Sequence, residues 1–142
     1  MLVLYTEYNG MVNAHFLSSE EECYALIQNN KILHYKIKLL NQQFNVNFLS
    51  CLVWNQAKRD FEINVNSLIE FKKNYFRQIR PLYFDKLDKI LMKVLGNEIK
   101  TNEILILKQA LRDVTDIEFP KNVSEIELFI PEIFKQINLI NI

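Results

Sequence analysis

The apolar residues change their spacing near Ser67, and this change constrains the fold more than any other feature of the sequence. Before Ser67, apolar and polar residues alternate in short stretches, which is typical of β-strands with one buried face. After it, apolar residues recur every three or four positions, which is typical of amphipathic helices. The sequence therefore predicts an α+β protein, with a β-rich region over residues 1–66 and a helical region over residues 67–142.

The start of the chain predicts an antiparallel hairpin followed by one short helix. Asn9 and Gly10 separate two alternating stretches, and an Asn-Gly pair favours the positive φ angles of a two-residue hairpin turn. Ser18 and Ser19 are each followed three residues later by a glutamate, so they form overlapping capping boxes. The helix that they begin should end after about three turns, close to Asn30.

The stretch between Ile32 and Phe61 predicts two or three further strands, because its apolar residues again alternate with polar ones. Residues 49–53 are apolar except for Ser50, so we expect a central strand there that is buried on both faces. The polar residues 55–60 then predict a turn into one more short strand.

The helical region predicts two long helices that pack as an antiparallel hairpin. Ser67 and Glu70 form a capping box at the start of the first helix, which should end at Gly96. Pro81 lies inside this helix, and because proline lacks a backbone donor we expect either a kink or two helices that meet there. Thr101 is the predicted cap of the second helix, and the short connection makes the two helices antiparallel neighbours.

The pattern becomes irregular beyond Pro120. Ser124 offers a weak helix cap, and Pro131 begins a last short apolar element. The abundance of asparagine, lysine and isoleucine is typical of an AT-rich genome, and we assign it no mechanistic role.

Charge and composition exclude several classes of partner. Seventeen basic and seventeen acidic side chains cancel, so no long-range field attracts nucleic acid or an anionic membrane surface. Lys72, Arg77 and Arg80 lie close together, but acidic residues flank them on the same segment. No apolar run approaches the length of a membrane span, and two glycines are too few for the usual phosphate-binding loops. We therefore expect protein partners.

The residues that could carry catalysis form no recognisable constellation. Cys23 and Cys51 are far apart, no secretory signal precedes them, and we interpret both as buried thiols of an intracellular protein. His15 and His34 have no metal ligands at the usual spacing. A nucleophilic Cys-His pair stays formally open, with Cys23 and His15 as the nearest candidates. We predict that the chain is not an enzyme and binds no cofactor and no metal.

The second half of the chain carries an ordered set of landmarks. They are Trp54, the stretch Phe61–Ile63, Leu68, the basic helix with Lys72, Arg77 and Arg80 reaching Leu87 and Asp88, the string Gln109–Thr115, then Phe119, Pro120 and Pro131. This order resembles the C-terminal region of tail-assembly chaperones of tailed bacteriophages, which include tail-fibre assembly proteins. The resemblance covers about the last 90 residues. Lys108 stands where the family usually has arginine, and Leu107 where it has tyrosine.

The resemblance implies a phage protein that binds a tail or tail-fibre polypeptide. It would act in the host cytoplasm as an assembly chaperone, or stay on the virion tail as a component, and a homo-oligomer or multi-copy assembly is compatible with either role. The contact residues carried over from the motif are Arg77, Arg80, Gln109, Arg112, Asp113, Phe119, Pro120 and Pro131. An intramolecular role is an equal alternative for each of them. The competing function is a small phage-encoded inhibitor or regulator of a host protein.

Overall fold

The computed structural model describes residues 1–140 and has the predicted α+β architecture. Residues 141 and 142, the end of the predicted helical region, lie outside the described part. The strands are β1 (Leu2–Tyr8), β2 (Met11–Leu17), β3 (His34–Leu39), β4 (Leu52–Asn55) and β5 (Asp60–Ile63); the helices are α1 (Glu20–Asn29), α2 (Val65–Val94), α3 (Glu98–Arg112), α4 (Val123–Leu128) and α5 (Glu132–Asn138). The chain divides into two compact units, Met1–Leu68 and the part that begins at Ile69.

The first unit is built on a three-stranded antiparallel sheet with the order β2-β1-β3. The predicted hairpin is confirmed, because Asn9 and Gly10 have φ angles of 51° and 78° and β1 pairs with β2 across them. Of the two predicted capping boxes of α1, the Ser19–Glu22 cap is confirmed, whereas Ser18 bonds Glu22 in place of Glu21. The Ser19 hydroxyl accepts from the Glu22 amide, and the Glu22 carboxylate accepts from the Ser18 amide.

The central strand β1 is buried on both faces. Val3 and Tyr5 pack against Leu52 and Phe61 from the separate two-stranded sheet β4-β5, while Leu4 packs on the other face against α1. Because successive side chains of a strand point to opposite faces, one strand supplies both cores. The first unit therefore has a helix on one side of its main sheet and the β4-β5 hairpin on the other.

The predicted central strand at residues 49–53 is wrong. Residues Val46–Cys51 form 3₁₀ turns, and β4 begins only at Leu52, in the two-stranded sheet. The apolar side chains of this stretch are still used, because Phe48 and Cys51 are buried. A short apolar run does not by itself distinguish a strand from a buried turn.

The two long helices of the predicted hairpin are present, but their caps differ from the prediction. The Asn64 side chain accepts from the Ser67 amide, so α2 starts before Ser67. The Asn97 side chain likewise caps α3, whereas the Thr101 hydroxyl donates to the carbonyl of Val94. Both asparagines use the side-chain oxygen as a first-turn acceptor.

Helix α2 continues through Pro81, so the predicted alternative of two separate helices is wrong. Beyond α3, the chain is more regular than its sequence indicates. Asn122 caps α4 in place of the predicted Ser124, and Pro131 begins α5 as predicted. The helices of this unit enclose one core that contains Phe76, Leu87, Ile104, Leu111, Val114, Phe134 and Ile137.

Candidate protein-binding surface

The last turn of α3 holds three of the predicted contact residues. Gln109 donates from its amide nitrogen to both carboxylate oxygens of Asp113, at 3.2 and 3.1 Å. Arg112 donates to the Gln109 side-chain oxygen at 3.1 Å. All three side chains are exposed, and the hydrogen bonds fix one side chain relative to the next. The result is an ordered polar surface at the end of the helix.

Arg80 joins this end of α3 to α2. Its guanidinium donates to the carbonyl of Arg112 at 3.1 Å, which is one of the carbonyls that a helix C-terminus leaves without an intrahelical donor. The guanidinium of Arg112 in turn lies 5.8 Å from the centre of the Phe84 ring on α2. A salt bridge of 2.6 Å between Lys108 and Asp88 ties the same two helices.

The other predicted contact residues are engaged locally. Arg77 donates to Asn74 one turn earlier on α2, at 2.7 Å, and is exposed. The half-buried Phe119 ring lies 5.1 Å from the Phe129 ring, and Pro131 is almost fully buried at the start of α5. Pro120 is half-buried. The proline-containing tail thus folds back onto its own unit, which is the intramolecular alternative for Phe119 and Pro131.

The outward face of α3 carries a feature that the sequence reading missed. Ile99 is 74% exposed and Ile106 is 69% exposed, and their seven-residue spacing places them on one side of the helix. Ala110 and Asp113 continue that side, at i+4 and i+7 from Ile106, and both are exposed. The stripe formed by Ile99, Ile106, Ala110 and Asp113 is called the α3 outer stripe below. The sequence signal was available, because these apolar residues fall between the core positions of α3.

The two cysteines are poor nucleophiles. Burial raises the pKa of the Cys23 thiol, and the carboxylates of Glu22 and Glu20 raise it further. Burial also raises the pKa of the Cys51 thiol, although a hydrogen bond with Ser50 opposes the shift. Both thiols are free and buried. A protonated, buried thiol reacts slowly, which disfavours the open Cys-His alternative.

Each of the two histidines contacts side chains of the first unit. His15 lies 3.2 Å from the Thr6 hydroxyl across the hairpin. His34 lies 3.0 Å from a carboxylate oxygen of Glu7 and stacks on Trp54, with ring centres 4.9 Å apart. A shallow pocket of 440 Å³ lies beside this stack, with Tyr35, Gln56 and Arg59 among its lining residues. The aromatic wall of this pocket offers a flat apolar contact.

Within residues 1–140, no three side chains of the His, Cys, Asp and Glu types are grouped so that they could hold a metal ion. Over the same residues, no helix combines the length and the apolar character that a bilayer span requires. Comparisons with protein-family models, curated proteins and solved structures gave no match to this chain.

Proposed function

We propose that this chain binds a tail or tail-fibre polypeptide of a tailed bacteriophage, as an assembly chaperone or as a component kept on the tail. The observation that carries the proposal is the α3 outer stripe, where two largely exposed isoleucines precede the ordered Gln109–Asp113 end. A partner that covers an exposed isoleucine removes apolar surface from water, which favours binding. The order of the phage-like landmarks supplies the class of partner.

The α3 outer stripe suits the task of covering an unassembled polypeptide. Tail and fibre polypeptides are rich in strands that are unpaired before assembly, and unpaired strands with exposed apolar residues aggregate unless another protein covers them. The α3 outer stripe would contact apolar residues of such a chain. The fixed side chains of Gln109, Arg112 and Asp113 would bind its polar groups at the rim, where hydrogen bonds give specificity.

Co-expression of the chain with a tail-fibre polypeptide encoded in the same genome tests the proposal. The expected result is more soluble fibre protein and co-purification of the two chains. Ile106→Asp should abolish both effects, because it places a charge in the apolar contact. The matched control is Leu128→Asp on α4, which changes an apolar residue that is more exposed than Ile106, at 83% against 69%, and lies away from the stripe; it should leave both effects intact.

Three results would contradict the proposal. One is a fibre polypeptide that stays insoluble and separate from the wild-type chain. Another is equal loss of binding in the Ile106→Asp and Leu128→Asp variants. The third is a tight complex with a host enzyme and none with tail proteins, which would favour the inhibitor function instead.

A further inference from the structure

The two edges of the main sheet differ in how well they are protected against pairing with a further strand. Strand β3 forms one edge and carries Lys36, and lysines on edge strands are a common means of preventing edge-to-edge pairing. Its second lysine, Lys38, forms a salt bridge of 3.2 Å with Asp60. Strand β2, on the other edge, has the sequence MVNAHFL and carries no charged side chain. Met11 and Phe16 on this strand are 68% and 48% exposed. The β2 edge therefore lacks the charges that keep a second strand away.

The hairpin turn determines which backbone groups of β2 face outward. A two-residue turn makes its flanking residues a hydrogen-bonded pair, here Tyr8 with Met11, and hydrogen-bonded pairs then alternate with non-bonded pairs. The amides and carbonyls of Val12, Ala14 and Phe16 consequently point away from β1. In residues 1–140, no backbone hydrogen bond to another segment involves these three residues.

The side chains of β2 form a mirror pattern about its middle residue, Ala14. In an antiparallel pairing of two copies centred on Ala14, Met11 meets Leu17, Val12 meets Phe16 and Asn13 meets His15. Apolar residues therefore meet apolar ones, polar residues meet polar ones, and the smallest side chain lies on the twofold axis. This register also places the outward backbone groups of the two strands opposite each other.

An apolar pocket lies beside Val12, the residue that Phe16 of a second copy would face in this register. Phe16 shares a face of the sheet with Val3 and Val12, because it is the partner of Val3 and lies four residues along from Val12. In the paired register, Phe16 of a second copy faces Val12. A pocket of 420 Å³ lies beside Val12, with Met11, Val46 and Leu49 among its lining residues. This space would receive the exposed ring.

We infer that β2 pairs antiparallel with β2 of a second copy of this chain, about a twofold axis at Ala14. The two sheets would join into one six-stranded sheet with about six new backbone hydrogen bonds. A second copy fits this edge better than an unrelated strand does, because the same seven residues supply both halves of the match. The inference concerns the first unit and does not depend on the proposed function.

The oligomeric state of the purified full chain tests the pairing. Sedimentation velocity over a concentration series should show a species of twice the 17.0 kDa chain mass. Phe16→Lys should raise the dissociation constant about tenfold or more, because an ammonium group enters the apolar pocket twice in each dimer. Leu33→Lys is the matched control, since Leu33 is 86% exposed in the same unit but lies outside β2. It should leave the dissociation constant unchanged.

The register has its own test. Ala14→Cys should give a covalent dimer under mild oxidation, because the two new thiols lie opposite each other across the axis. Met11→Cys should not, because Met11 faces Leu17 in this register; the native Cys23 and Cys51 are buried. A chain that is monomeric at every concentration would overturn the inference. So would a dimer that Phe16→Lys leaves intact, or equal cross-linking of both cysteine variants.

Discussion

The two units satisfy their backbone hydrogen bonds in different ways. In the first unit the strands pair with one another, and the short helix α1 is capped by neighbouring residues of its own segment. In the second unit, three basic side chains of α2 each donate to a carbonyl at the C-terminal end of a different helix. Lys72 donates to Glu127 at the end of α4, Arg80 to Arg112 at the end of α3, and Lys86 to Ile137 at the end of α5.

For α4 and α5, the need for such donors follows from their short length. The last four carbonyls of any helix have no intrahelical donor, and in helices as short as α4 and α5 they are most of the helix. A cation at that end supplies a donor and a favourable charge for the helix dipole. The basic helix α2 therefore has a structural task at Lys72, Arg80 and Lys86. Arg77, by contrast, donates to Asn74 one turn earlier on its own helix.

The largest expected effect tests whether the two units are separate cooperative units. Phe134→Ala removes a buried ring that lies 4.6 Å from Tyr83 and 5.5 Å from Phe76. We expect it to lower the free energy of unfolding of the second unit by about 3–5 kcal/mol. In a urea titration, far-ultraviolet circular dichroism should show helix loss at lower urea, while emission from Trp54 in the first unit should keep its midpoint.

The matching variant in the first unit is Phe61→Ala, whose ring lies 5.0 Å from Trp54. It should shift the midpoint of the Trp54 emission and leave most of the helical signal in place. Equal shifts of both signals in both variants would contradict the comparison, because the whole chain would then unfold as one cooperative unit.

The next effect tests the capping cations. Lys86→Met keeps the apolar stem but removes the donor that lies 2.8 Å from the carbonyl of Ile137. We expect a loss of about 1.5–3 kcal/mol in the free energy of unfolding, the range for hydrogen bonds from charged groups. Lys89→Met, an exposed position of the same helix, should change it by less than about 0.5 kcal/mol. Equal effects of the two variants would remove the proposed role of Lys86.

A smaller effect tests the cap of α3. Asn97→Ala removes the side-chain acceptor of the Lys100 amide, so we expect a loss of about 1 kcal/mol in thermal or urea unfolding. Asn102→Ala, inside the same helix and exposed, should be neutral or slightly stabilising, because alanine has the higher helix propensity. The comparison fails if the Asn102 variant is the less stable of the two.

The smallest expected effect is a pH dependence of the free energy of unfolding, caused by Lys72. Burial lowers the pKa of its ammonium, and the Glu127 charge opposes this only in part. Below the folded-state pKa both states bind the proton, so the contribution to stability is constant. Between that pKa and the ordinary value of 10.5, the unfolded state binds more protons, so the stability of the wild type should rise relative to Lys72→Met. Unfolding titrations of both proteins between neutral pH and pH ~10 measure the difference; a constant or opposite difference would contradict the shift.

The helix caps show where prediction from the sequence failed. Asparagines cap α2, α3 and α4, at Asn64, Asn97 and Asn122, whereas the predicted caps were hydroxyl residues a few positions later. Attributing the abundance of asparagine to genome composition hid these caps. Asparagine is as good an N-cap as serine, so each one that precedes a periodic apolar pattern is a candidate start. The Ser19 cap of α1 was predicted correctly, because a serine followed three residues later by glutamate is the usual capping-box pattern.

The candidate surface was only partly predictable for a similar reason. The string that ends at Asp113 could be recognised as a helix end, and the structure places Gln109, Arg112 and Asp113 in one hydrogen-bonded group there. The contact from Arg80 joins residues 32 positions apart, which no local pattern specifies. The exposure of Ile99 and Ile106 depends on which side of α3 the core occupies. An apolar residue in a sequence does not reveal whether a neighbour covers it.

The sequence by itself determined the elements whose causes are local. The α+β class, the hairpin at Asn9 and Gly10, and the start of α1 all follow from residues within a few positions of one another. Only the tertiary structure decided that residues 46–51 form turns, that the basic side chains of α2 cap other helices, and that Pro131 is buried. These outcomes depend on packing between distant segments, and packing overrides local preference where the two compete.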